Sequence, residues 1–199
     1  VMVDASGNLY DGDQLLYAIV RSRARTSTVA GVVGTLMSNL AIEHAICEMG
    51  IPFARAAVGD RYVVEMLLKN GWLFGGENSG HILALDRHTT GDGIVAGLQV
   101  LAAMREENKS LRELLGNLIL YPQRLINVPV IKGFDWQSRP EICNAVEVAQ
   151  VQLAGKGRVL LRASGTEPLL RVMVEGEDVQ QVGAVAEILA SCVKAAAAQ

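Results

Sequence analysis

Thr28-Val29-Ala30-Gly31-Val32-Val33 is a β-branched run, and the alternation of elements it opens decides the fold. A short apolar run of this kind reads as a buried strand. Ser38 can cap a helix through Met49, with Leu40, Ala41, Ala45, Ile46 and Met49 on one face, and Gly50 ends it. Residues 52–58 read as a second strand, 60–69 as a helix closed by Asn70-Gly71, and 72–74 as a third strand. Strands alternating with helices predict an α/β layer structure.

Toward the N-terminus, Val1-Met2-Val3 and Leu9-Tyr10 flank the turn cluster Ala5-Ser6-Gly7-Asn8, a β-hairpin signature. Asp11-Gly12-Asp13 then opens a mostly buried helix. Downstream, a strand over 82–85 precedes Thr89-Thr90-Gly91-Asp92, where Asp or Thr caps a long helix over 93–108. Composition shifts after Leu115, and Gly116-Asn117, Tyr121-Pro122 and Pro129 punctuate the chain. The expected organisation is a mixed-sheet α/β domain over 1–115, a linker over 116–123, and a small α+β domain over 124–199. The latter reads as a strand over 126–131, a helix over 140–153, strands over 158–162 and 169–175, and a closing helix over 178–198.

The 199 residues carry a net charge of -3, and half are hydrophobic, too many for a disordered chain. Aromatics make up only 5%, so Val, Leu, Ile and Ala must build the core. The near-neutral balance gives no broad footprint for nucleic acid or an anionic membrane. No stretch approaches the ~18 apolar residues of a membrane span. The start lacks the basic and apolar blocks of a signal peptide and reads as mid-protein. Cys47, Cys143 and Cys192 are far apart and never in CxxC spacing, so they read as reduced thiols of a cytoplasmic protein.

Two clusters could carry chemistry. In Arg162-Ala163-Ser164-Gly165-Thr166-Glu167-Pro168, hydroxyls flank a glycine in a turn between two strands, and Arg162 offers a planar fork matched to phosphate. Arg171 lies on the second strand. A polar turn with surface arginines is equally open on chemistry alone, with Arg171 as an edge ion-pair partner. In Gly75-Gly76-Glu77-Asn78-Ser79-Gly80-His81, a carboxylate, an amide, a hydroxyl and an imidazole fall within five residues. Such a set suits vicinal sugar hydroxyls, although an ordinary self-satisfied loop is the commoner meaning. Asp11 and Asp13 read as helix caps sooner than as part of a metal loop, and so does Asp60. Arg61 can face a cleft. His44 reads as structural or exposed, and His88 receives no role.

Taken in order, these motifs resemble the α-D-phosphohexomutase superfamily over essentially the whole chain. The carriers are Val33-Gly34-Thr35-Leu36-Met37-Ser38-Asn39, Val58-Gly59-Asp60-Arg61-Tyr62-Val63, Gly76-Glu77-Asn78-Ser79-Gly80-His81, Thr89-Thr90-Gly91-Asp92-Gly93-Ile94 and the Arg162 to Pro168 run. The resemblance implies most of domain three of a four-domain enzyme, then domain four, whose fold is like half of a TATA-box-binding protein. The Glu77-Asn78-Ser79 form looks like the branch that interconverts glucosamine 6-phosphate and glucosamine 1-phosphate through a phosphoserine and a bisphosphate intermediate. Phosphomannomutase or phosphoglucomutase, and a non-catalytic phosphosugar-binding module, are the alternatives.

The resemblance further implies that Glu77, Asn78, Ser79, His81 and Arg61 contact the sugar. Arg162, Ser164, Gly165, Thr166 and Arg171 would hold the phosphate that is not reacting. No catalytic serine loop and no metal ligand is expected in these residues, the Mg2+ ligands being expected upstream, so this segment alone should be inactive. The expected partner is a phosphosugar, with neither nucleic acid nor membrane, and a homodimer is left open.

Overall fold

The computed structural model describes residues 1–198, which fall into two compact units, 1–120 and 121 onward. In the first, β1 (Met2–Val3) and β2 (Leu9–Tyr10) pair as an antiparallel hairpin. Asp4 organises its turn by accepting from Ser6 N, Asn8 N, Asn8 Nδ2 and Tyr10 Oη.

The main sheet has the order β4-β3-β5-β6, with β3 (Val32–Thr35), β4 (Phe53–Ala56), β5 (Phe74–Gly76) and β6 (Ile82–Ala84). β3 runs parallel to both β4 and β5, whereas β6 is antiparallel to β5, so the sheet is mixed. Around it lie α1 (Gly12–Ala24), α2 (Leu40–Glu48), α3 (Asp60–Asn70), α4 (Gly93–Glu107) and the short α5 (Leu111–Leu115). Val33, Val63, Leu67 and Leu83 form one fully buried cluster, in which α3 packs on the sheet. α1 buries Leu15, Leu16, Ile19 and Val20 against β5, α2, α4 and α5. Each such aliphatic side chain contributes roughly 1.5–3 kcal/mol by leaving water.

Several elements differ in detail from the sequence expectation. The strand expected over 28–33 pairs only from Val32, because its partner β4 begins at Phe53 and Val32 stands opposite it. β-branched residues mark a surface that fits a sheet, but the partner decides where the ladder starts. The strand expected over 72–74 is instead Phe74–Gly76, so the ladder runs into the glycines and brings Glu77 directly to a strand end. α2 is capped by Asn39, whose side chain accepts from Ala41 N, not by Ser38. Ser38 Oγ accepts from Thr35 N and closes the preceding turn. Asp60 is not a cap: Gly59 holds that position, and Asp60 bonds its neighbour Arg61 N. Asp92 does cap α4, accepting from Ile94 N and Val95 N.

The second unit is a three-stranded antiparallel sheet in the order β7-β9-β8, formed by β7 (Gln123–Pro129), β8 (Gly157–Ala163) and β9 (Leu169–Gly176). β7 starts earlier than the strand expected over 126–131, since Gln123 already pairs with Glu175. α6 (Pro140–Leu153) and α7 (Val179–Ala197) pack against one another and onto the sheet. Val128, Leu161, Leu170, Val172 and Val174 meet Ile142, Leu153, Val185, Leu189 and Val193 in this core. Since side chains alternate along a strand, the residues between these point to the face without helices. Arg162, Arg171 and Asn127 are among them.

Candidate functional site

In the first unit the three parallel strands end on the same edge, and the loops after β3, β4 and β5 gather there. The chain steps from β3 to β4 on one side and then crosses to β5 on the other, so the strand order reverses about β3. Such reversals open a crevice at the carboxyl ends of the strands, where open α/β sheets take ligands.

Glu77 sits at the end of β5 and is 7% exposed. Its Oε1 accepts from Gly59 N at 2.8 Å, and Oε2 lies 3.4 Å from His81 Nδ1. Ser79 Oγ is 3.2 Å from the same Nδ1, so Glu77, Ser79 and His81 converge on one another. The turn is closed by Glu77 N donating to His81 O and Gly80 N donating to Glu77 O. Asn78, Ser79 and His81 are exposed. The site therefore offers one anchored carboxylate with an amide, a hydroxyl and an imidazole at its mouth, groups that exchange hydrogen bonds with hydroxyls. Gly59, at φ 128, holds a conformation that favours glycine and aims its N–H at Glu77. Arg61 pairs with Glu65 one turn along α3, with its side chain 79% exposed.

The neighbouring loop after β3 is fixed from two sides. Arg55 Nη1 donates to Thr35 O and Ser38 O at 2.9 and 2.7 Å while its Nε binds Glu43. Asp13, expected as a cap, is buried and accepts from Asn39 N at 2.7 Å; Asp11 is the cap, in a capping box with Gln14. Burial pushes the Asp13 carboxyl up to about 6, against the opposing pull of the Asn39 N–H. His44 is half-buried on α2, and His88 contacts Thr90 O in an exposed turn.

In the second unit, Ser164, Gly165 and Thr166 line a cavity of about 390 Å³ together with residues 130–134 and Pro168. Ser164 Oγ accepts from Glu167 N, which leaves its own proton to donate outward. Nothing crowds Gly165, so the loop backbone is open on that side. Arg162 and Arg171 lie outside this lining, one pair along the ladder, directly opposite one another. Lys132 and Gly133, in the same wall, were not singled out from sequence. A basic residue beside a glycine just past a strand was the available signal. Asn127, opposite Arg171, carried none.

Among the described residues no group of three or more His, Cys, Asp or Glu side chains is placed to hold a metal ion. No helix among them is long and apolar enough to cross a membrane, and the three cysteines are free.

This architecture, a mixed α/β unit carrying a polar strand-end loop and then a small α+β unit, has known counterparts. Residues 11–120 match the alpha/beta/alpha domain III of phosphoglucomutase/phosphomannomutase, and residues 125–191 match the C-terminal domain. The chain belongs to that family. It is 73% identical over 98% of its length to a phosphoglucosamine mutase of Dechloromonas aromatica, and 58% identical over 98% to one of Aromatoleum aromaticum. It spans 44% and 43% of those proteins, less than half of each. Among solved structures it resembles Aspergillus fumigatus N-acetylphosphoglucosamine mutase in complex with GlcNAc-6P and magnesium, at TM-score 0.77 and 22% identity over 97% of this chain and 49% of that one. A phosphoglucomutase/phosphomannomutase family protein of Burkholderia thailandensis aligns at TM-score 0.74 and 16% identity, over 98% of this chain and 43% of that one. At such identities the likeness is one of fold.

Proposed function

We propose that this chain is the C-terminal part of a phosphoglucosamine mutase, which interconverts glucosamine 6-phosphate and glucosamine 1-phosphate in the cytoplasm. The observation that carries the reading is the 73% identity over 98% of the chain to a protein of that name, a span that includes both polar loops. Glu77 would accept from sugar hydroxyls through the oxygen that Gly59 leaves open, with Ser79 and His81 completing the contact. Ser164, Gly165 and Thr166 would cradle the non-reacting phosphate, and Arg162 and Arg171 would supply its counter-charge.

A mutase of this kind must hold its substrate in two orientations, because the phosphate moves between two carbons. A clamp that reads phosphate and ignores the carbon bearing it serves both. Phosphoryl transfer itself depends on positioning and on neutralising charge; a phosphoserine supplies the phosphoryl group and magnesium the neutralising cation. Both would come from residues outside these, as the likeness to the family implies. Magnesium accompanies the related fungal enzyme.

The test is a steady-state assay of the full-length protein on the 6-phosphates of glucosamine, glucose and mannose. The reading expects glucosamine 6-phosphate to have the highest kcat/KM. Preference for mannose or glucose would transfer the protein to another branch of the family. Absence of turnover on all three, with phosphosugar binding retained, would make it a binding module.

A further inference from the structure

The start of α1 touches both loops of the sheet edge through consecutive residues. Gly12 N donates to Asn78 O at 3.0 Å, inside the 77–81 loop. A Cβ added to Gly12 would stand 2.0 Å from Glu77 O, 2.6 Å from Gly80 N and 2.8 Å from Gly80 Cα. All three are backbone atoms, so no side-chain rotation could relieve the clash. Gly12 is the first residue of a helix, a conformation open to any residue, so close approach of the loop is what demands a glycine there. The next residue, Asp13, is 1% exposed and takes the Asn39 N–H, with the Ser38 hydroxyl bonded to it, in the loop after β3.

Helix initiation does not explain this pair. The capping box of Asp11 and Gln14 already satisfies the helix start. A buried carboxylate is a costly way to fill space, whereas an apolar residue of similar size would pack there without desolvating a charge. Its hydrogen bonds fix direction as well as distance.

We propose that the first turn of α1 is a positioning element of the site, with Gly12 setting the stance of the Glu77–Ser79 loop and Asp13 that of the Thr35–Asn39 loop beside it. The inference rests on reading Glu77 and Ser79 as sugar contacts. It adds that one helix end holds the two loops in register.

The test compares Gly12→Ala, Asp13→Asn, Glu77→Gln and Asp11→Ala in the full-length enzyme, reading KM for glucosamine 6-phosphate, inhibition by inorganic phosphate, and thermal midpoint. Displacing a binding group by about 1 Å costs up to ~100-fold, so Gly12→Ala should raise KM by about 10- to 100-fold. Phosphate inhibition should not change. Combined with Glu77→Gln it should add little, because both act through one loop. Asp11→Ala, which removes the cap and breaks no hydrogen bond to either loop, should lower the midpoint and leave KM within about two-fold. Should Gly12→Ala not fold, the near-isosteric Asp13→Asn carries the same expectation of a raised KM. The proposal is overturned if the Gly12 or Asp13 variant behaves like Asp11→Ala, or if the effect of Gly12→Ala simply adds to that of Glu77→Gln. An unchanged KM in Glu77→Gln alone would instead remove the underlying assignment of the loop.

Discussion

Arg162 and Arg171 stand directly opposite one another on adjacent antiparallel strands, on the face that carries no helix. Like charges in that relation destabilise a sheet. The nearest balancing carboxylate is Glu167, 4.0 Å from Arg171, and Arg171 Nε is buried without a hydrogen-bond partner among the described residues. In the proposed phosphate clamp, an anion held between the guanidiniums and the Ser164–Thr166 turn would offset this repulsion.

Arg162→Ala should therefore weaken binding of both phosphosugar isomers in the full-length enzyme. A charge-assisted hydrogen bond is worth roughly 1.5–3 kcal/mol, or about 10- to 150-fold in affinity. Arg162→Lys should recover part of this, since an ammonium retains charge but loses the planar fork. Titration calorimetry with each isomer checks it; unchanged affinity for either one would exclude a shared clamp.

Glu77→Gln should separate sugar recognition from folding. The glutamine carbonyl can still accept from Gly59 N, so the thermal midpoint should move little. Hydroxyl recognition should fall, because a charged acceptor is replaced by a neutral one, while inorganic phosphate binding is retained. Loss of both together would point to a loop that merely supports the fold.

Asp13 should make stability depend on pH in a specific sense. Its folded carboxyl titrates near 6, above the ordinary 3.8, chiefly through burial, with Asp11 and Arg55 the charged groups facing it. A raised carboxyl favours the protonated form, so its contribution is complete below about pH 4 and is lost as pH rises through 6. Above that, the ionised group costs on the order of 3 kcal/mol relative to the acid limit. Denaturant titrations of wild type and Asp13→Asn from about pH 4 to pH 7 should diverge over that window. Parallel curves would contradict the burial argument.

The two units have cores of their own and should unfold as separate cooperative transitions. Leu189→Ala, at a fully buried position of α7, should lower one transition by about 2–5 kcal/mol and leave the other in place. Calorimetry of the 199-residue chain would show it. Limited proteolysis should cut first within the glycine- and proline-marked stretch 116–123; first cleavage inside the 28–101 stretch would contradict that boundary.

Local sequence was enough for the order of the strands and longer helices, though not for α5, and for the helix spans of 93–108, 140–153 and 178–198 to within a residue or two. These come from local rules: helical periodicity, capping chemistry at Asp92, and glycine at turns need only near neighbours in the chain. Tertiary structure alone decided that the cap of α2 is Asn39, that Glu77 is anchored by an N–H eighteen residues away, and that Arg162 faces Arg171. It also turned Asp13 from an apparent cap into a buried acceptor for Asn39. Strand register and loop-to-loop hydrogen bonds join residues far apart in sequence. Whether a polar side chain meets water or a distant backbone donor is therefore fixed only when the sheet edge closes around it.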